Sequence, residues 1–450
     1  MKIREELHKY IPGGAHTYSR GDDQFPDIVP SAFRRGKGAY LIDDNGNKVL
    51  DYGMGLRSVN IGYGDLEIAQ AAYEAILDGN NLTKPSLIEL EAAKKFCSLI
   101  PSVDMVKFAK HGSTVTTAAI KLARAYTNRR YVLIPEEHPF FSFDDWFIGS
   151  TVVDKGVLHE AAEYTKKFKY NDIGSVKSLL NELGNDVAAI MLEPSTHIGP
   201  CIDKCDISIE GCKSCPNSSY SFLKQIEALC KKNEIVFILD EMITGFRWSL
   251  KGAQDYFDVT PDLTTFGKAM ANGLAVAALG GRAEIMNLGS ISNEGEERVF
   301  LVSTTHGAEM SGLNAFLKTV EKIEKEGIIE QVWSYGAKLT KLFNQLSESL
   351  GLLDYVYMEG YPCSPLFRTL DQNRVHSNEF RTLFIEKMFE KGVLMPYVAL
   401  CQSHGPEELH FTEIALEHAL KTYKKAIDSG STKEFINSKN IVKPVFRKYN

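Results

Sequence analysis

The sequence predicts an α/β fold: a mostly parallel sheet covered by helices on both faces, with a smaller α+β part built from both ends of the chain. Two observations lead there. Short β-branched runs recur at 105–109 (MVKFA), 131–134 (YVLI), 187–192 (VAAIML), 235–239 (IVFIL) and 263–266 (LTTF), with helical patterns between them. The runs are apolar throughout rather than at every second residue, as a strand buried on both faces requires. Taken in order, KGAYLIDDNGNKVLDY holds two short apolar runs around the turn residues Asp44, Asn45 and Gly46, a hairpin pattern. SLIELEAAKKF opens on Ser86 with Glu89 three residues later, a capping box. In TVTTAAIKLARAY, Ala119, Leu122, Ala123 and Tyr126 recur at helical spacing. Beyond about residue 320 long amphipathic helices such as LFNQLSESL dominate. The expected organisation is an N-terminal segment of a small domain at 1–59, a large domain at 60–319 with a Cys-rich insertion at 200–216, and a C-terminal small-domain segment at 320–450. The last twenty residues, with five Lys or Arg against one Glu, read as a solvated, loosely packed tail.

Composition narrows the function. A chain of 450 residues with 44% hydrophobic and 24% charged residues is a large globular protein, not a short module or a disordered one. A net charge of −7 disfavours nucleic acid and anionic membrane as partners, since both reward a basic surface. MKIREELHKYIPGG carries charges where a secretion signal needs an apolar stretch, and no later apolar run approaches the roughly 20 residues that span a bilayer, so a cytoplasmic protein acting on small molecules is expected.

Three places carry candidate chemistry. In IVFILDEMITGFRW, Asp240 and Glu241 end a strand that should be central, and ligands of open parallel sheets bind at that edge. A carboxylate there accepts either backbone donors or a cationic group of a ligand. In DLTTFGKAMANG, Lys268 follows another strand; a lysine is usually a solvated cation, but a buried amine that loses its proton is a nucleophile toward an aldehyde. In KFAKHGSTVTTAAIKLARAY, strand passes to helix through His111, Gly112 and Ser113, where backbone N–H groups and a helix N-terminus favour a phosphate. Ser113 and Thr114 fit plain N-caps equally well. Together the three match the needs of pyridoxal 5′-phosphate (PLP): a cationic ring nitrogen, an aldehyde and a phosphate.

With those residues in view, the sequence resembles the class III aminotransferases of fold type I, and within them the subgroup related to glutamate-1-semialdehyde aminomutase. The resemblance runs from IPGG at 11–14 through GAYLIDDNGNKVLDY, GSTVTTAAIKLARAYT, DEMITGFR, PDLTTFGKAMANG and GGRAEIM to STTHGAEMSGLNA. It implies that Lys268 forms the Schiff base with the cofactor and that Asp240 keeps the pyridine nitrogen protonated, which should lower the pKa of Asp240. It further implies that Gly112 and Ser113 bind the phosphate, that Thr305 reaches the phosphate of the neighbouring subunit of a homodimer, and that Phe140 stacks on the ring. Arg20 matches an arginine that binds a substrate carboxylate. Arg57, in MGLRSVN, lies where the mouth of the site is expected, and Glu193, in LEPSTH, lines the pocket or holds an arginine. The pattern departs from the family in places. Phe141 replaces a histidine, His111 stands where relatives have a small polar residue and reads as a hydrogen-bonded structural group, and ANGLAVAALGG replaces the GGGLPVG-like run of true aminomutases.

The implied activity is transfer of an amino group from an amino-acid donor to an aldehyde or ketone acceptor, sugar-like by analogy with relatives that share HPFFSFDDWFIG. Intramolecular transfer by an aminomutase is the alternative, and a catalytically silent PLP-binding scaffold a remoter one. A separate feature is GPCIDKCDISIEGCKSCP, where Cys201, Cys205, Cys212 and Cys215 are spaced C-x3-C-x6-C-x2-C. Four thiolates so close fit a structural zinc; unligated thiols or an iron–sulfur cluster are the other readings.

Overall fold

The computed structural model describes residues 2–195, 198–201, 221–292 and 294–449. The chain divides into two compact units, Met1–Leu66 with Glu326–Arg447, and Glu67–Lys325 with Lys448–Asn450.

The larger unit is built on a seven-stranded sheet in the order Met105–Ala109, Ala277–Gly281, Leu263–Phe266, Val236–Glu241, Val187–Leu192, Tyr131–Pro135, Thr165–Phe168. All five strands read from the sequence are present. The central ones, Val187–Leu192, Val236–Glu241 and Leu263–Phe266, are buried at every residue, as their unbroken apolar runs require. Two strands were not legible. Thr165–Phe168 is TKKF, and Ala277–Gly281 is AALGG, which has no β-branched residue. The second is also antiparallel to both neighbours. Its composition follows from crowding: a Cβ on Gly280 would lie 2.7 Å from the Val103 side chain, and one on Gly281 2.5 Å from the Asp262 carbonyl oxygen. Helix Leu87–Leu99 begins with the expected capping box, Ser86 accepting from the Glu89 N–H while Glu89 accepts from that of Ser86. Helix Gly112–Thr127 presents Val115, Ala118, Ala119, Leu122 and Ala123 to the sheet.

In the smaller unit, Tyr40–Ile42 and Lys48–Asp51 form the expected hairpin, extended by Arg35–Lys37 on one side and, in parallel, by Val393–Leu394 on the other. Asp43 fixes the turn by accepting from the N–H groups of Asn45 and Asn47. Helices Ile328–Ser349, Asn378–Phe389 and Pro406–Ser429 complete the unit. The tail expected to be loose is instead strapped down. Glu386, fully buried, accepts from the N–H groups of Asn437 and Ser438, and Asp27 from those of Lys439 and Asn440. Val442 N–H donates to Thr382, Lys443 N–H to the Asp23 carbonyl, and Arg447 pairs with Asp23. The basic residues of this segment suggested solvation, but its backbone donors meet carboxylates far away in sequence, which no local pattern reports.

Candidate active site

Parallel pairing brings the carboxyl ends of several strands to one edge of the sheet. Met105–Ala109 runs with them, being antiparallel to a strand that is itself antiparallel to Leu263–Phe266. Asp240, near the end of its strand, and Glu193 and Lys268, just past theirs, therefore lie on neighbouring strands at the edge to which the turn at Gly112 also leads, the position where open α/β sheets bind ligands.

The two acidic residues of DEMITG separate into the two roles left open by the sequence. Glu241 is structural: its carboxylate accepts from the N–H groups of Ala253 and Gln254 at 2.8 Å and from the Thr244 hydroxyl, anchoring the short helix Ala253–Tyr256. Asp240, on the opposite face of the strand by pleat alternation, receives the Thr265 hydroxyl at 2.8 Å and the Met242 N–H at 3.1 Å, both on Oδ1. Thr265 is also its partner in strand register. Burial pushes the Asp240 carboxyl up to about 6, opposed by the nearby positive charge of Lys268 and by these two hydrogen bonds. The expected lowering is thus overturned in the protein alone, where burial outweighs the Lys268 charge; the charge of a bound pyridinium would act in the same direction as that of Lys268.

Lys268 sits in the left-handed region at φ 40°, a conformation costing roughly 1–3 kcal/mol for a residue with a side chain, and one that clusters at functional sites. Met242, which the sequence reading passed over, links the parts of the site. Its Sδ would lie 2.9 Å from a Cβ on Gly112 and 2.6 Å from one on Gly267, so both glycines make room for one thioether. The only cue in the sequence was a pair of glycines next to the two key segments.

At the turn after the strand Met105–Ala109, helix Gly112–Thr127 has His111 as N-cap with no side-chain cap bond, so the plain N-cap role for Ser113 or Thr114 is not taken up. Ser113 is buried and its Oγ accepts from the Phe143 N–H at 3.1 Å; Thr116 donates to the Phe141 carbonyl, and Trp146 Nε1 to Thr117. The aromatic segment is thereby locked to the first turns of this helix. Phe141 is buried against Phe147 and His138, whereas Phe140 keeps 44% of its surface exposed. Glu193 is buried, and its N–H donates to Nδ1 of His138 at 3.1 Å, which leaves the ring proton of that histidine on Nε2 when the ring is neutral. His111 is exposed and contacts the Thr114 hydroxyl. Thr305 is exposed too, its carbonyl accepting from Asn81 Nδ2.

Arg20 and Arg57 belong to the smaller unit. Arg20 is exposed. Arg57 closes four consecutive left-handed residues, Met54–Arg57, a turn held by the buried Asp51 carboxylate, which accepts from the Gly53 and Met54 N–H groups and from the Tyr63 hydroxyl. Arg57 Nη1 donates to Ser364 at 2.8 Å and to the Val398 carbonyl at 2.9 Å, and the guanidinium lies over the Tyr397 ring. Of the cysteine set, Cys205, Cys212 and Cys215 lie outside the described residues. Cys201 is buried, disulfide-bonded, and donates its N–H to Asn171. No group of three or more metal-binding side chains occurs among the described residues, and none of their helices is long and apolar enough to cross a membrane.

The donor set suits PLP: a buried carboxylate for the ring nitrogen, a strained strand-end lysine for the aldehyde, and a glycine-opened helix start for the phosphate. Comparison with known proteins agrees. The family model described as Aminotransferase class-III matches residues 18–405. The 3-aminobutyryl-CoA aminotransferase of Cloacimonas acidaminovorans is 31% identical over 431 residues, covering 95% of this chain and 98% of its own. The glutamate-1-semialdehyde 2,1-aminomutase of Francisella philomiragia is 31% identical over 369 residues, 80% of each chain. Among solved structures, the PLP internal aldimine form of the Sphingopyxis sp. MTA144 FumI protein superposes with a TM-score of 0.82 at 23% identity, over 96% of this chain and 97% of that one, a likeness of fold. With fold, site and relatives in accord, the chain belongs to the class-III aminotransferases, PLP-dependent enzymes of fold type I.

Proposed function

We propose that this aminotransferase moves an amino group between two molecules, from an amino-acid donor to a separate carbonyl acceptor, with Lys268 and Asp240 as its catalytic residues. The observation that carries the reading is the buried Asp240 carboxyl under the influence of the Lys268 charge, at the ends of adjacent strands. PLP supplies an aldehyde that condenses with amines and a ring that withdraws electrons from the bonds of the attached carbon. Lys268 would hold the cofactor aldehyde through its Nζ, and the same amine, once free, would move a proton at the substrate α-carbon. Asp240 would keep the proton on the ring nitrogen, Gly112 and Ser113 would hold the phosphate, and Phe140 would supply a flat face for the ring. Arg20 is the best-supported group for a substrate carboxylate, being exposed; Arg57 is already engaged with Ser364, Val398 and Tyr397, which favours a role in shaping the pocket. Glu193 is assigned to the pocket wall, and a sugar-like acceptor rests on analogy with relatives.

A homodimer belongs to the same proposal. Tyr73, Ile76, Leu77, Leu82, Leu87 and Leu90 are large apolar side chains exposed in the single chain, a surface suited to a second copy, and Thr305 is exposed as a residue serving that copy would be. The free thiols of Cys97, Cys230, Cys363 and Cys401 favour a cytoplasmic setting, and the disulfide at Cys201 counts against it. For the cysteine-rich segment, zinc is supported by spacing alone and competes with the disulfide at Cys201. Metal analysis alongside thiol titration decides it, and metal-free, fully folded protein rejects zinc.

Intramolecular transfer has support in the relatives named aminomutase. Donor amino acids added to the PLP-loaded enzyme separate the two readings. A stoichiometric change in cofactor absorbance, reversed by a carbonyl acceptor, is expected for transfer between molecules. No response to any donor, together with turnover of a single substrate, establishes the aminomutase.

A further inference from the structure

Lys110 lies between the strand Met105–Ala109 and the turn at which helix Gly112–Thr127 begins. Its Nζ meets Glu309 Oε2 at 2.5 Å, and the other oxygen of that carboxylate, Oε1, meets His306 Nδ1 at 2.8 Å. Lys110 and Glu309 side chains are 25% and 22% exposed, sheltered enough for an ion pair to have a fixed geometry. The hydrogen bond from Lys110 holds the Glu309 carboxyl below its ordinary range, with His306 acting in the same sense.

Glu309 ends the loop that carries Thr305. That loop has further tethers in Asn81 Nδ2, which donates to the Thr305 carbonyl, and Asn80, which accepts from the Met310 and Ser311 N–H groups at the start of helix Met310–Glu326. These tethers fix the loop to the body of the unit. The Lys110–Glu309 pair ties it to the residue beside the turn at Gly112. The loop and the turn of one chain face different duties: Gly112 and Ser113 hold the chain's own cofactor phosphate, while Thr305 serves the phosphate of the second copy. This division rests on the reading proposed above.

We propose that Lys110 and Glu309 form a positioning pair that couples the two cofactor sites of the dimer. When phosphate orders the turn of one chain, Lys110 is fixed, Glu309 is drawn into register, and Thr305 is presented to the neighbouring site. Occupation of the first site then favours the second, with no group in contact with both cofactors. Coupling of this kind is a difference in binding free energy and is reciprocal between the sites. His306, bonded to the outer oxygen, holds the carboxylate's orientation.

The test is a titration of cofactor-free, full-length dimer with PLP, followed by absorbance. Wild type is expected to bind cooperatively, the second PLP at least about fivefold tighter than the first. Lys110→Met and Glu309→Gln each abolish that difference, the double variant is no worse than either single one, and the charge-swapped pair Lys110→Glu with Glu309→Lys restores it. Non-cooperative binding by wild type overturns the proposal. So does cooperativity that survives either single variant, or a charge swap that behaves like the single variants. Failure of the underlying reading looks different: wild type then takes up no PLP at either site, or Thr305→Ala leaves its affinity unchanged.

Discussion

Gly267 owes its identity to Met242: a Cβ there would lie 2.6 Å from the methionine Sδ, although the backbone at Gly267, φ −178°, is open to any residue. A Cβ on Gly112 would lie 2.9 Å from the same sulfur. One flexible side chain thus spaces the residue before the lysine from the start of the phosphate turn. Gly267→Ala should overpack this junction at about 1–3 kcal/mol and weaken PLP binding. Met242→Ala in the Gly267→Ala background should return part of that loss, since the crowding atom is gone. Cofactor affinities of the two single variants and the double variant check this; strictly additive losses reject it.

Asp240 links function to pH. Its folded-state value of about 6 exceeds the ordinary 3.8, so protonation favours the folded, cofactor-free protein. The contribution is complete below about pH 4 and is lost as the pH climbs through about 6. Asp240→Asn removes the buried charge, and the cofactor-free variant should be the more stable at pH 8 by up to about 3 kcal/mol, the gap closing toward pH 4. The same variant should lose roughly 10²–10⁴-fold in turnover, because an amide cannot retain the ring proton. Melting curves across pH and steady-state rates measure the two effects; a variant less stable at pH 8 contradicts the first.

What the sequence disclosed follows from what each element depends on. Asp240 and Lys268 were legible because each directly follows a run that burial keeps apolar, and the hairpin around Asp44 because its turn residues act locally. The strand Ala277–Gly281 was not, because contacts with Val103 and Leu263 demand glycine where strand signals look for branched residues. Met242 and Asp51 escaped for a related reason: one works by filling space between distant glycines, the other by accepting N–H groups of a left-handed turn. Neither leaves a periodic trace.

The carboxyl-terminal strap should matter to the smaller unit as a whole. Glu386 has no exposure and accepts from Asn437 N–H, from Ser438 N–H and hydroxyl, and from Lys387. Glu386→Ala strips four donors of their acceptor and should cost about 3–5 kcal/mol. Glu386→Gln, which keeps the shape and one carbonyl, should cost less. Truncation before Asn437 should fall near the alanine variant, because it leaves the carboxylate buried beside Lys387 alone. Denaturant unfolding of the three variants tests this order, and a truncation indistinguishable from wild type would return the tail to the solvated state its charges suggest.

Lys268 carries the most demanding prediction, because its two properties separate on substitution. Lys268→Ala removes the amine and should abolish the cofactor's covalent attachment, with turnover lower by at least about 10²-fold. Lys268→Arg restores a positive charge beside Asp240 but no neutral nucleophile, since a guanidinium stays protonated. If the lysine acted only as a counter-charge to the buried carboxylate, arginine would recover activity. If it acts as nucleophile and proton carrier, arginine stays as inactive as alanine, and a small primary amine added to Lys268→Ala restores part of the rate in proportion to its concentration. Absorbance of the bound cofactor after borohydride treatment reads the attachment directly, and an irreversibly labelled Lys268→Ala protein would assign the bond to another residue.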